Sequence, residues 1–509
     1  MDAAGKLIAI AAYMIVMLLI GYFSMRRTKN VGDFFIGGRT IGPWVTAMAY
    51  GTTYFSAVLF VGFAGKLGWG FGMNALWIAV GNTLIGVLGV WLLFARPTRE
   101  MTERLDAITM PEFLDTRYGL PWLKPLSALV VFVFLVPYSA SVYQGLAYLF
   151  QVNLGMPYGQ VMALMAVLTG VYLVMGGYFA VATTDLVQGF LQIFGVTLMV
   201  MLVAEAAGQG VFESIVLGAD IANAPGLKPN PEALFPGWVV LSSLVFMTSF
   251  GPLGLPQMVQ KFYSIKDRRV ITTGAVVATV FAGIISFGAY YCGGLSHRFF
   301  SAATLPKLEN GTGPDFDRIM PQLLYEHTPP WFSVIILLVI LAASMSTLAS
   351  LVLVSSAAVT VDLVGARDRR DKTSKKGLTF LRVMCGVFVG LSVLIASKRI
   401  DAIVTLMSMS WGALAGSFIG PYVWGVLWRR TTAAGAAVGF VGGLVTAITL
   451  FIAWGGANSP VSASVAMLVS LILVPVVSAF TPALPAEKVA LAFGDDRPAE
   501  QAAIQEAEQ

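Results

Sequence analysis

Residues 248–256 read Thr248-Ser249-Phe250-Gly251-Pro252-Leu253-Gly254-Leu255-Pro256. They lie inside an apolar run of about 235–258, long enough to cross a bilayer, which takes roughly 20 such residues. Two glycines and two prolines in mid-run predict an interrupted helix, because proline removes a backbone donor and its ring clashes with the preceding turn. Five spans earlier the run of about 43–65 carries Tyr50-Gly51-Thr52-Thr53-Tyr54-Phe55-Ser56. Gly51 followed by two β-branched hydroxyl residues is a weak spot for a helix in mid-membrane. Broken helices at matching positions of two inverted repeats are a mark of secondary transporters. Spans 2–6 and 7–11 would then each open on a broken helix.

The rest of the chain agrees with a membrane setting. Of 509 residues, 57% are hydrophobic and 12% are charged, against about 25% charged in soluble domains. Mean hydropathy is +0.78. A soluble protein of this length needs polar surface around several cores, and this composition cannot supply it. Disorder is excluded by the apolar fraction. Cys292 and Cys385 make neither a disulfide framework nor a cysteine metal site. The net charge of +5 is no sign of nucleic-acid binding; its meaning lies in where the charges fall.

Apolar runs predict thirteen spans, at about 7–25, 43–65, 72–95, 122–151, 157–176, 183–205, 235–258, 270–293, 331–362, 379–397, 401–427, 432–454 and 460–481. The first lacks a basic start and runs into Arg26 and Arg27, so it reads as a retained helix and not a cleaved signal. With the N-terminus outside, 24 of the 32 Lys and Arg residues fall on the inner face, Lys261 and Lys375 among them. Lys6, Lys66 and Lys307 are among the 8 on the outer face. This bias follows the positive-inside rule and predicts a multi-pass plasma (inner) membrane protein with a cytoplasmic C-terminus. His297 and His327 read as solvated residues of an outer loop, and residues 484–509 as a polar cytoplasmic tail that frays.

No nucleotide-binding P-loop, zinc-protease or serine-hydrolase motif occurs. No nucleophile–base pair or metal cluster suggests an enzyme. No repeated pore motif or charged ring suggests a channel. A membrane sensor would need a signalling domain, and only a short tail follows the last span.

Span 9 contains Ala342-Ala343-Ser344-Met345-Ser346-Thr347-Leu348-Ala349-Ser350. Ser346 and Ser350 share a helix face. Small hydroxyl residues serve close helix packing, and their oxygens also suit a hard cation. Asp185, in Thr183-Thr184-Asp185-Leu186-Val187-Gln188, opens span 6. An acid there is either part of an ion path or a helix-start residue favoured by the dipole.

With Asp33-Phe34-Phe35-Ile36-Gly37-Gly38-Arg39, Gly176-Gly177-Tyr178-Phe179-Ala180-Val181-Ala182-Thr183-Thr184-Asp185, the span 9 stretch and Ser410-Trp411-Gly412-Ala413-Leu414-Ala415-Gly416, the chain resembles the sodium:solute symporter family. That family includes bacterial proline, pantothenate and sialic acid symporters and animal glucose and iodide symporters. The resemblance implies an all-α polytopic membrane protein with a LeuT-type core. Its two five-helix inverted repeats would fall at about 43–205 and 235–427, within one transporter domain of residues 1–483. It implies a Na+ site from the carbonyls of Thr52, Phe55 and Ala343 and the hydroxyls of Ser346 and Thr347. A second ion position, present in some members, maps to Asp185, Ser346 and Ser350, but Ala349 lacks the hydroxyl expected beside them.

The resemblance further implies a solute pocket faced by Ser56, Asn82, Tyr138, Thr248, Phe250 and Pro252. Tyr54 stands where the proline symporters carry an acid. Few ionisable groups and no arginine for a large anionic sugar favour a small zwitterion such as proline, with small monocarboxylates or a vitamin as the alternative. The partners implied are Na+, a small solute and the lipid bilayer, with no nucleic acid; nothing in the sequence indicates an oligomeric state.

Overall fold

In hydrocarbon every backbone polar group must find a partner within the chain, which helices provide. The computed structural model describes all residues except 1–2, 26–30, 209, 217–223, 309–312, 366–374 and 495–509. Among the described residues the only β pairings are two isolated bridges. The inner-face charges Arg26, Arg27, Lys29, Arg367, Arg369, Arg370, Lys372 and Arg497 lie outside the described residues, as does the tail from 495.

The long elements are α1 (Ala3–Met25), α2 (Pro43–Tyr54), α3 (Val58–Arg104), α4 (Leu123–Leu154), α5 (Tyr158–Ala206), α6 (Gly237–Phe250), α7 (Pro256–Tyr263), α8 (Arg269–Gly294), α9 (Phe332–Ala357), α10 (Lys375–Ser397), α11 (Ile403–Leu427), α12 (Ala433–Trp454) and α13 (Ser459–Phe480). Eleven helices among the described residues are long and apolar enough to cross a membrane, against the expectation of thirteen. Two glycines bend the longest of these helices. α3 is a run of 47 residues in two segments, too long to cross the bilayer core once. It turns at Gly72, whose φ of 56° a side chain would disfavour. α5 is kinked at Gly177 (φ 58°, ψ −179°), and Gly177–Ala206 beyond the kink is long and apolar enough to cross a membrane.

Both expected breaks are present. α6 passes into a 3-10 turn at Gly251–Gly254, then Leu255 is extended (φ −101°, ψ 115°) and Pro256 starts α7. α2 ends at Tyr54, where Phe55 is extended (φ −111°, ψ 104°). Gly51 is not the break: it is helical, and a Cβ there would stand 2.3 Å from the Phe281 ring of α8. Its small size admits a neighbouring helix. The Tyr54 hydroxyl donates to the Thr248 carbonyl, tying the two breaks together. Near the other end, Ile41 N donates to Ser264 O (3.2 Å) and Lys266 N to Ile41 O (3.1 Å), lashing the start of α2 to the end of α7.

α1 packs on the bundle: Gln188 Nε2 donates to the Tyr13 hydroxyl at 2.9 Å, and Lys6 Nζ to Asn153 O at 2.9 Å. Both cysteines are free and buried. The histidines are less solvated than expected. His297 stacks on Trp69 (4.1 Å) with Nε2 2.7 Å from the Trp69 carbonyl, and His327 lies 4.6 Å from the Phe299 ring. The start of the tail also departs from expectation, forming a helix, Ala486–Phe493, whose Phe493 ring lies 5.2 Å from the Arg117 guanidinium.

Candidate functional site

α9 is apolar all round and buried along its length, so its hydroxyls must find partners inside the protein. Ser344 does so within the helix, donating to Ile340 O at 2.6 Å. Ser346 reaches out and donates to Thr52 Oγ1 at 2.7 Å, and Thr52 donates to Met48 O at 2.8 Å. The Thr347 hydroxyl lies 3.2 Å from each of the carbonyls of Thr52, Thr53 and Ala343. One proton serves three acceptors there, each farther than the usual 2.7–2.8 Å of a hydroxyl bond. The break after Tyr54 removes the helical partners of the preceding carbonyls, leaving them free to face α9. Thr52, Phe55, Ala343, Ser346 and Thr347 are all buried. The Ala343 carbonyl belongs to an unbroken helix, unlike those at the end of α2.

Thr53, which the sequence does not single out, joins this hydroxyl cluster. Its hydroxyl is 2.9 Å from Ser350 Oγ, one turn along α9 from Ser346. The other side of Ser350 meets a second surprise. Lys261 of α7, counted above with the inner-face charges, is buried, and its Nζ donates to Ser350 Oγ at 3.0 Å. The same Nζ is 3.7 Å from Oδ2 of Asp185, itself fully buried. Asp185 is therefore no interfacial helix-start acid. It sits inside α5, eight residues beyond the Gly177 kink. Lys261 carries no distinctive sign in the sequence, since a lysine five residues past Pro256 looks like the start of a basic loop.

The solute-pocket residues converge in part. Ser56, Asn82, Tyr138 and Thr248 line one small cavity, together with Tyr54, Phe55, Tyr290 and Trp411. Phe250 instead stacks on Phe246 (4.8 Å), and Pro252 is buried in the 3-10 turn, outside that cavity. Trp411, which the sequence does not single out as a pocket residue, packs here: Tyr54 stacks on it at 6.3 Å and Tyr138 meets it edge-on at 6.0 Å. The cavity measures about 20 Å³, room for roughly one water, so a solute enters only if this aromatic cage opens. The amide oxygen of Asn82 is buried with no hydrogen-bond partner among the described residues. Replacement by leucine should raise the half-saturation concentration for solute by about 5- to 150-fold, as about 1–3 kcal/mol is lost with such a partner. Thermal stability should hold, since no internal bond goes with it. A fall in melting temperature with unchanged uptake kinetics would make Asn82 a structural residue instead.

A larger cavity of about 340 Å³ opens near Lys66, Trp69, Phe71 and Thr405. Elsewhere Arg39 laces several elements together: its guanidinium donates to Thr102 Oγ1 (3.3 Å), Thr102 O (3.0 Å), Ala107 O (3.0 Å) and Tyr263 O (3.1 Å).

Comparison with known proteins gives consistent results. Residues 34–443 match the sodium:solute symporter family. The chain is 31% identical over 448 residues to the sodium/proline symporter of Salmonella typhimurium, covering 87% of each. It is also 31% identical over 447 residues to that of Escherichia coli, again 87% of each. The osmoregulated proline transporter OpuE of Bacillus subtilis is 29% identical over 89% of this chain and 90% of its own. Among solved structures, a substrate-bound, outward-open Na+-coupled sialic acid symporter superposes with a TM-score of 0.76 at 17% identity, covering 94% of this chain and 98% of its own. MhsT in complex with L-phenylalanine gives 0.50 at 15% identity, covering 87% and 99%. At such identities the likeness concerns the fold, which is the LeuT-type architecture expected.

Proposed function

The chain belongs to the sodium:solute symporter family, and on that premise we propose that it is a sodium-coupled importer of a small zwitterionic amino acid, with proline the first candidate. The observation that carries this reading is the oxygen cluster where α9 meets the break of α2. Thr347 Oγ1 lies 3.2 Å from the carbonyls of Thr52 and Ala343. A cation of the size of Na+ or Ca²⁺ takes oxygens at about 2.4 Å, which puts neighbouring ligands about 3.4 Å apart on an octahedral edge. A small expansion or rotation therefore converts a hydroxyl-bonded cluster into a neutral cage for one Na+, with Ser346 and the Phe55 carbonyl completing it. Neutral ligands suit a monovalent ion that must also leave.

Coupling follows from the shared element. Tyr54, Phe55 and Ser56 lie at the break and also line the solute cavity. An ion that holds the break thereby shapes the pocket. The relatives named as sodium/proline symporters favour proline, and the unpaired Asn82 oxygen offers an acceptor to a solute ammonium. We assign the repeats to about 43–205 and 235–427, with the N-terminus outside and the C-terminus cytoplasmic on the charge bias. In that orientation the larger cavity, beside Lys66, is an outer vestibule, and the Arg39 bonds close the inner side.

Linkage makes the test direct. Binding of radiolabelled L-proline to purified protein should tighten by about 5–150-fold when Na+ replaces K+, and proline should tighten Na+ binding by the same factor. Equal proline affinities in the two salts, where proline binds, would overturn sodium coupling.

A further inference from the structure

We propose that the Lys261 ammonium is a built-in cation occupying the second ion position, between Asp185 and Ser350, so that one Na+ and not two is bound per transporter. The inference rests on the sodium-symport reading. Asp185, Lys261 and Ser350 are each buried. Lys261 Nζ is 3.0 Å from Ser350 Oγ and 3.7 Å from Asp185 Oδ2, and it lies 5.3 Å from the centre of the Tyr178 ring. A hydroxyl, a carboxylate and an aromatic face are the groups that a bare ammonium requires.

They are also what a Na+ would have to use here. A free cation entering this position would meet a fixed positive charge of the same sign, with the single carboxylate already paired. The tether matters as well. Asp185 belongs to α5, Ser350 to α9 and Lys261 to α7, the half-helix that follows the second break. Ser350 accepts from Lys261, so its own proton is free to bond Thr53 Oγ1, 2.9 Å away. Thr53 in turn presents its carbonyl to Thr347 at 3.2 Å. The resident charge is thus connected to the proposed Na+ cage through two hydroxyl residues. It holds the half-helix after the second break to the end of the first broken helix. A mobile second ion would do this only while bound.

The test counts ions. Equilibrium binding of radiolabelled Na+ to the purified full-length protein should saturate at one ion per chain. Lys261→Gln removes the charge and keeps a side chain of similar reach. It should raise the count to two, with the Hill coefficient for Na+ activation of L-proline uptake rising from about one towards two. Lys261→Gln/Asp185→Asn should return the count to one, since the carboxylate that holds the second ion is gone. Two ions bound by the unaltered protein would overturn the proposal while leaving sodium symport intact, and would do so even if Lys261→Gln does not fold. A folded Lys261→Gln that still binds one ion would overturn it too. An unaltered protein that binds no Na+ would defeat the underlying symport reading instead.

Discussion

Ser346→Ala/Thr347→Ala should nearly abolish sodium-driven accumulation of solute while the protein still inserts and folds. Both hydroxyls point across to the break of α2, one to Thr52 Oγ1 and the other to the Thr52 and Thr53 carbonyls. In the proposed cage they are the two side-chain ligands, and the remaining oxygens are backbone. Each lost ligand should cost about 1–3 kcal/mol of ion binding, the range for a buried polar partner. Together they should lower Na+ affinity by about 30-fold or more, not strictly additively, because the two share Thr52. Each single variant should shift Na+ activation to higher concentration and leave the maximal rate less affected. Ser344→Ala is the control, as its hydroxyl is spent on Ile340 O within α9. The measurement is uptake into proteoliposomes as a function of Na+, with detergent-extracted yield as the folding check. If Ser344→Ala shifts Na+ activation as far as Ser346→Ala, the cage is misplaced.

Gly68→Val should prevent stable folding. The backbones of α3 and α8 touch here: a Cβ on Gly68 would stand 2.1 Å from the carbonyl carbon of Gly293, and one on Gly293 would stand 2.0 Å from Ala64 O. Overpacking a core commonly costs about 1–3 kcal/mol, and more when the obstacle cannot turn aside. The obstacle is main chain, so no rotamer relieves it, and a loss above about 3 kcal/mol is expected. Helices in lipid gain their association largely from such close packing, because lipid tails provide little hydrophobic drive. Gly70, two residues on, has open space where its Cβ would be. Gly70→Ala should therefore change the melting temperature little, and a helix propensity gain of up to about 1 kcal/mol could raise it. Thermal unfolding of the two variants side by side checks the pair. Comparable melting temperatures would mean that α3 and α8 are less closely packed than the structure has them.

Some of this protein is legible in its sequence because the cause is local. Low charge and long apolar runs dictate helices in a bilayer, since no other open structure satisfies its own backbone there. The Gly251–Pro256 stretch dictates a break wherever it is placed, because proline lacks the donor in any environment. Four hydroxyls within seven residues of α9 are visible in the same way, as is the resemblance that assigns three of them to ion positions. Other features exist only between segments far apart in the chain. The first break falls at Phe55 and not at Gly51, because Gly51 is held helical against Phe281. Trp411 joins Tyr54 and Tyr138, and so closes the solute cavity, only once α11 is folded against α2 and α4. Lys261 looks like any basic residue near a span end until α5, α7 and α9 bring Asp185 and Ser350 to its ammonium. Propensity and backbone chemistry act within a few residues, so the sequence carries them openly. Which charge meets which carboxylate depends on distances between helices, and tertiary packing alone decides those.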